Sequence, residues 1–191
     1  MRIISGFLRG KKLATPQGLN TRPTSDKARQ GVFNILEHAQ WSPGLRGLRI
    51  LDIFAGSGAM GFEAMSRGAD FALFIDNDAN AISVIKSNID ACGFDKNQTI
   101  ANKQNALILG PNPLEKYDLA FLDAPYDTGL NEETLPILLA NGWLKSGAIV
   151  VSENRKGQIA NALDGFELLR EVNYGINGFA FYVVKPTKFQ D

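Results

Sequence analysis

The mostly apolar run Leu48–Phe54 ends in Ala55-Gly56-Ser57-Gly58 and reopens at once as the helical stretch Ala59–Arg67. A strand that feeds a glycine turn and then a helix commits the chain to a layered α/β arrangement, and the following segments repeat the theme. Phe71–Ile75 is predicted as a strand, Ala79–Cys92 as a helix stopped by Gly93, and Gln98–Ala101 as a short strand. Asp118–Leu122 follows as a strand, then a helix near Glu132–Asn141 and a strand at Ala148–Glu153. Continuous apolar strands between helices belong to a parallel sheet covered on both faces. The end differs: Glu167–Tyr174 and Phe179–Lys185, joined at Gly175–Gly178, read as a hairpin that adds an antiparallel strand at the sheet edge. Ahead of the sheet, residues 2–15 read as two short strands around Gly10. Thr24 or Ser25 then caps a helix to about His38, with Val32, Phe33 and Leu36 on one face. Ser42-Pro43-Gly44 breaks the chain. The expected organisation is therefore an extension over 1–44 and an α/β domain over 45–191, of the doubly wound class.

The glycine turn is the cofactor signal. Gly56 and Gly58 allow a tight turn and close backbone approach at a helix N-terminus. With Gly61 they match the spacing of dinucleotide sites, and Asp76 lies 20 residues beyond Gly56. That pattern alone fits a nicotinamide enzyme or one that uses S-adenosylmethionine (SAM). Asp52, just before the turn, separates them: a carboxylate there suits an ammonium group and repels a pyrophosphate, by about 4 kcal/mol at 4 Å and an effective dielectric of 20. A dehydrogenase also needs a substrate domain for which the chain has little room. SAM is the expected cofactor. Asp76, ending the second strand, can accept both ribose hydroxyls, while Asp78 is better placed as the cap of the next helix.

Asp123-Ala124-Pro125-Tyr126 follows the strand Asp118–Leu122 and falls where ligands of open α/β sheets bind. Alone, such a tetrapeptide is an ordinary turn. At this place in the order of elements it reads as an acceptor site. The Asp123 carboxylate and the Ala124 carbonyl can take the two N–H groups of a base amine and turn its lone pair toward an incoming methyl, and Tyr126 offers a ring to stack on the base.

The formal net charge of zero conceals an asymmetry. Residues 1–49 carry nine Lys and Arg, among them Arg2, Arg9, Lys11, Lys12, Arg22, Lys27 and Arg29, against Asp26 and Glu37 alone. A basic segment on an acidic body suggests a polyanion-binding arm. Cys92 is the single cysteine and His38 the single histidine, which leaves no disulfide and no Cys-based zinc cluster. No metal is expected. The N-terminus lacks the apolar core of a signal peptide and no stretch approaches a membrane span, so the chain is expected in the cytoplasm and away from membranes.

Taken together, the glycine turn, Asp123-Ala124-Pro125-Tyr126 and the stretch Arg22–Arg29 with Phe33-Asn34 resemble the RsmD-type family of 16S rRNA guanine-N2 methyltransferases. The likeness runs from Arg2 to about Lys185. It takes in Arg2–Gly6 with Arg9-Gly10, Asn141-Gly142-Trp143-Leu144, and Glu153. The resemblance implies a Rossmann-like SAM-dependent methyltransferase fold. It implies that Asp52, Gly56, Gly58 and Asp76 hold the methionine and ribose of SAM, with Phe54, Ala55 and Asn77 in the same cofactor set, and that Asn105 and Ala106 face the adenine. It further implies that Asp123, Ala124, Pro125 and Tyr126 fix the target base, and that Arg2, Arg9, Lys11, Lys12, Arg22, Thr24, Lys27 and Arg29 contact 16S rRNA in the small subunit or its late precursor. Three positions depart from the family pattern: Ala124 stands for a proline, Asn105 for an aspartate, and Gln30 for an acidic residue. The acceptor motif alone does not separate guanine N2 from adenine N6, and a non-catalytic RNA-binding assembly protein on the same fold is the third reading.

Overall fold

Every second residue of the central strands enters one apolar layer, and the residues between them enter another. The computed structural model describes residues 1–16, 25–126, 128–158 and 163–186. Its sheet contains β1 Arg49–Ile53, β2 Phe71–Asp76, β3 Thr99–Lys103, β4 Tyr117–Leu122, β5 Leu144–Arg155, β6 Phe166–Tyr174 and β7 Asn177–Val184. The helices are α1 Asp26–His38, α2 Ala59–Ser66, α3 Ala79–Cys92 and α4 Leu130–Ala140. Ile50, Phe74, Phe121, Val151 and Phe181 share one layer with Val32 and Phe33 of α1, Phe62 and Met65 of α2, and Ile82 and Ile85 of α3. Leu51, Leu73, Ala120, Val150 and Tyr182 share the other with Leu135 and Leu138 of α4. Strand side chains alternate faces. Because both faces are covered, the strands read as unbroken apolar runs.

The strand order is β3-β2-β1-β4-β5-β7-β6. Strands β1 to β5 pair in parallel, and β7 runs antiparallel to β5 and β6. From β1 the chain winds outward through β2 to β3, then returns to place β4 on the other side of β1. That reversal opens the crevice at the C-terminal ends of β1 and β4 where ligands of such sheets bind. This is the expected Rossmann-like architecture, mostly parallel with an antiparallel hairpin. The hairpin turns at Gly175-Ile176 and inserts β7 inside the sheet, so β6 takes the edge. β5 begins at Leu144 instead of Ala148, through a register irregularity against β4 between Tyr117 and Leu119. One turn of 3-10 helix, Ala106–Ile108, lay outside the sequence reading.

The N-terminal arm departs most. The two strands expected over residues 2–15 reduce to one antiparallel bridge between Arg2 and Lys12. The missing ladder partners lie on α2: the Glu63 carboxylate accepts from the amides of Ile4 and Ser5 at 2.7 and 3.0 Å. The Ser66 carbonyl and hydroxyl accept from Phe7 and Leu8. Farther along, the Asn88 side chain on α3 bonds both the amide and the carbonyl of Ala14. Ser25, rather than Thr24, caps α1, its hydroxyl accepting from Ala28 N at 3.1 Å; Thr24 lies outside the described residues. Gly31 lets α1 lie against β6, because a Cβ there would fall 2.2 Å from the Tyr174 ring. No helix among the described residues is long and apolar enough to cross a membrane.

Glu63 is fully buried and carries the arm, pairing with Arg67 at 2.7 Å while Arg29 lies 4.0 Å away. Removing one member of a buried ionic group strands the others without compensation. Glu63→Ala is therefore expected to cost about 3 kcal/mol or more in urea unfolding, with the amides of Ile4 and Ser5 losing hydrogen-exchange protection. An unchanged unfolding midpoint would show that the arm is held elsewhere.

Candidate active site

Three strand ends are laced together at the crevice. Beyond β1 the backbone turns sharply, with Phe54 at φ 59° and Gly56 at φ 54°. A positive φ at phenylalanine costs roughly 1–3 kcal/mol and persists only where its surroundings enforce it. The enforcing bonds come from β2: Ala55 N donates to the Ile75 carbonyl at 3.1 Å, and Gly56 N to Asp76 Oδ2 at 2.8 Å. Asp76 Oδ1 accepts from Asp78 N at 2.9 Å, and Asp78 caps α3, as its position suggested. Each Asp76 oxygen thus holds one backbone amide and keeps a second lone pair for a ligand.

Asp52 lies beneath the turn, 2% exposed, with Oδ2 accepting from Gly61 N at 2.9 Å. It does for the first turn of α2 what a capping side chain does elsewhere, since Gly58 at the cap has none. Burial pushes its carboxyl up to about 7; the Gly61 amide opposes this and the nearby Asp76 adds to it. The glycines divide by role. A Cβ at Gly58 would meet Phe62 at 2.7 Å, and one at Gly61 would meet Phe74 at 2.4 Å, so both are demanded by packing. At Gly56 a Cβ would have no atom nearer than 4.0 Å, so the turn leaves open space over that residue's Cα while its amide is held by Asp76.

Across the switch, Asp123 N donates to the Ile53 carbonyl at 3.4 Å, tying the Asp123–Tyr126 corner to the strand that carries the glycine turn. Ala124 is buried, and its N–H donates to Asn131 Oδ1 at 3.2 Å. Asn131, also buried, donates through Nδ2 to the Glu153 carbonyl at 2.7 Å. The Tyr126 hydroxyl donates to Glu153 Oε1 at 2.7 Å, an oxygen that also accepts from Asn177 Nδ2. Burial and then that carboxylate raise the Tyr126 hydroxyl well above its ordinary value, so it stays a donor at any physiological pH. Arg155 lies over the ring, 5.9 Å from its centre. A cleft of about 870 Å³ opens here, lined in part by Ala124, Pro125, Tyr126, Asn131 and Glu153.

The sequence-derived residues fall in three groups. Asp52, Phe54, Ala55, Gly56, Gly58 and Asp76 come together around the turn, and Asp123 to Tyr126 stand beside them at the end of β4. Ala106 is buried in the layer beneath β1, whereas Asn77 and Asn105 are exposed. The Asn105 side-chain oxygen caps the 3-10 turn, accepting from Leu107 N at 3.0 Å, and keeps a second lone pair. Of the basic set, Arg9, Lys11, Lys12 and Lys27 are exposed, and Arg2 pairs with Asp26 at 3.0 Å. Arg29 corrects the expectation: it is fully buried, donating to Asp26 and to the Arg2 carbonyl, and so has no face for RNA. Arg22, like Thr24, lies outside the described residues.

Asn131 and Glu63 escaped the sequence reading. Asn131 had a signal: with Leu135 and Leu138 it completes the i, i+4, i+7 stripe of α4, a polar residue in an apolar register. Glu63 had the same signal among the apolar residues of α2.

Comparison with known proteins finds relatives over nearly the whole fold. The family model described as "Conserved hypothetical protein 95" matches residues 1–183. Ribosomal RNA small subunit methyltransferase D of Haemophilus influenzae is 32% identical over 184 residues, covering 95% of this chain and 93% of that protein. The protein of the same name from Escherichia coli K12 is 36% identical over 154 residues, covering 81% of this chain and 74% of its relative. The solved structure of yhhF from Escherichia coli superposes with a TM-score of 0.81 at 33% identity, across 97% of this chain and 98% of the other. A glycine turn braced by two carboxylates, with the Asp123–Tyr126 corner tied to it, is thus found in a chain that belongs to the RsmD family of methyltransferases.

Proposed function

We propose that this methyltransferase transfers a methyl group from SAM to the exocyclic N2 amine of a guanine in 16S rRNA, within the small subunit or a late precursor. The observation that carries the reading is the 3.4 Å bond from Asp123 N to the Ile53 carbonyl, which joins the strand end bearing the glycine turn to the one bearing Asp123 and so supports a donor and an acceptor side by side. The relatives named for small-subunit rRNA methylation support the substrate.

The residues fit the cofactor. The dry Asp52 carboxylate suits an ammonium group, the open space over the Gly56 Cα suits a close ligand, and the spare lone pairs of Asp76 suit ribose hydroxyls. Phe54, Ala55, Gly58, Asn77, Asn105 and Ala106 complete the proposed set. When bound, SAM supplies an electrophilic methyl group on a sulfonium. Asp123 and the Ala124 carbonyl accept the two N–H groups of the amine, aim its lone pair and disperse the charge that develops on nitrogen. Pro125 holds Ala124 extended, and Tyr126, its hydroxyl fixed by Glu153, presents its ring to the base. Arg2, Arg9, Lys11, Lys12 and Lys27 supply phosphate contacts, with Arg22 and Thr24 assigned the same role from the sequence.

Three tests follow. Asp123→Ala is expected to abolish transfer to small-subunit RNA while calorimetry finds SAM affinity largely intact; wild-type turnover would remove the acceptor assignment.

Asp52 yields a pH prediction. Its folded pKa lies above the unfolded one, so its stabilising contribution is complete below the ordinary carboxylate range and is lost as pH rises through about 7. Asp52→Asn should raise the apo melting temperature at pH 8, flatten the decline between pH 4 and 7, and weaken SAM binding. Wild-type SAM affinity should rise with pH through about 7, because a cationic ligand favours the ionised form; a flat profile would exclude an Asp52–ammonium contact.

Ala124 has an amide hydrogen that a proline would lack, and Asn131 holds it. Asn131→Leu should lower turnover about tenfold, the value of one buried hydrogen bond, and the loss should shrink in an Ala124→Pro background. Equal losses in both backgrounds would show that this bond does not order the corner.

A further inference from the structure

Phe7 stands out on the arm. It is 69% exposed, and its described ring contact is edge-on to Phe94, with centroids 6.0 Å apart and planes at 81°. A lone exposed apolar residue needs no explanation in itself. Here the backbone beneath it is pinned. Gly6 sits at φ 79°, where a Cβ would fall 1.8 Å from the Ser66 carbonyl oxygen. Phe7 N donates to that carbonyl at 2.9 Å, Leu8 N to the Ser66 hydroxyl at 3.0 Å, and Arg9 N to the Gly6 carbonyl at 3.2 Å. A loop held this firmly presents the ring at little entropic cost. Its chemical setting is one-sided: residues 1–16 hold Arg2, Arg9, Lys11 and Lys12 and no Asp or Glu, and the last three are exposed. An aromatic face among cations, with no carboxylate on the same segment, matches a ligand that joins flat rings by anionic links.

We propose that Phe7 is a stacking platform for an unpaired RNA base, with Arg9, Lys11 and Lys12 gripping the flanking phosphates. The inference rests on the RNA reading of the arm and adds a base contact, away from the acceptor corner, to a surface otherwise charged. Stacking on an aromatic is tolerant of sequence, so the platform would hold a single-stranded segment in register while the target base is presented elsewhere.

The test is fluorescence anisotropy with a labelled 12-nucleotide oligoadenylate and an abasic ribose-phosphate strand of the same length, across a salt series. Phe7→Ala should weaken oligoadenylate binding roughly five- to 150-fold, leave the abasic strand unaffected and keep the salt slope. Phe7→Trp should bind as wild type does, and Lys11→Glu should weaken both strands and flatten the slope. Wild-type affinity in Phe7→Ala alongside a weakened Lys11→Glu would overturn the platform and leave the RNA arm standing. Full affinity in Phe7→Leu would overturn it as well, in favour of an apolar protein contact at this ring. If Lys11→Glu changes neither affinity nor slope, the RNA reading beneath the proposal fails.

Discussion

Two carboxylates beneath one glycine turn hold the rest of the site in place. Asp76 takes the amide of Gly56 from the side of β2, and Asp52 takes that of Gly61 from below. Just ahead of the first anchor, Phe54 takes a positive φ of 59°. The cost is concentrated at Asp52, whose charge lies almost out of reach of water and is penalised accordingly. A neutral side chain of the same shape would serve the fold better. Retaining an acid there makes sense when a cationic ligand supplies the missing counter-charge, which is why the electrostatics of this residue bear more on the cofactor than glycine spacing does.

The Asp123–Tyr126 corner is built on the same edge by different means. The glycine turn is fixed by strands next to one another in the sheet, whereas the corner is fixed by α4 and by β5, through Asn131 and Glu153. Pro125 constrains one peptide, and the bond from Ala124 N to Asn131 constrains the preceding one. The hydrogen bond thus supplies locally what a second proline would supply covalently, with one difference. It depends on a buried side chain of a separate helix, and so couples the corner to the packing of α4 against β5.

What was legible in the sequence was what depends on neighbours in the chain. Apolar runs marked the strands, Gly93 ended α3, and the strand-turn-helix at Leu48–Arg67 marked both the fold and the position of its glycine turn. Asp123 to Tyr126 could be placed because the order of elements says which end of β4 faces the crevice. The failures share a different cause. Arg29 was counted with the basic surface because charge is visible in a sequence and burial of a charge is not; its partners Asp26 and Glu63 lie on two separate helices. The strands over residues 2–15 were lost to Glu63 and Ser66, some sixty residues away.

Those long-range bonds also decide what kind of object the arm is. A basic extension could be a tether, free to search for RNA independently of the chemistry. Here Ile3 and Leu13 are buried in the layer that includes Ile50 and Phe121, so the arm is part of the core. Asn88 on α3 binds Ala14 of the arm and, through the same Nδ2, the carbonyl of Ser57 inside the glycine turn. The Ser57 hydroxyl in turn donates to the Met1 sulfur at 3.4 Å. The arm and the turn are therefore braced by one side chain. Moving the arm by an ångström would break hydrogen bonds to the turn, which argues for a surface of fixed bearing relative to the crevice. If the enzyme holds a large polyanion and places one small amine, as proposed, a rigid arm achieves by geometry what a flexible one would need binding energy to impose.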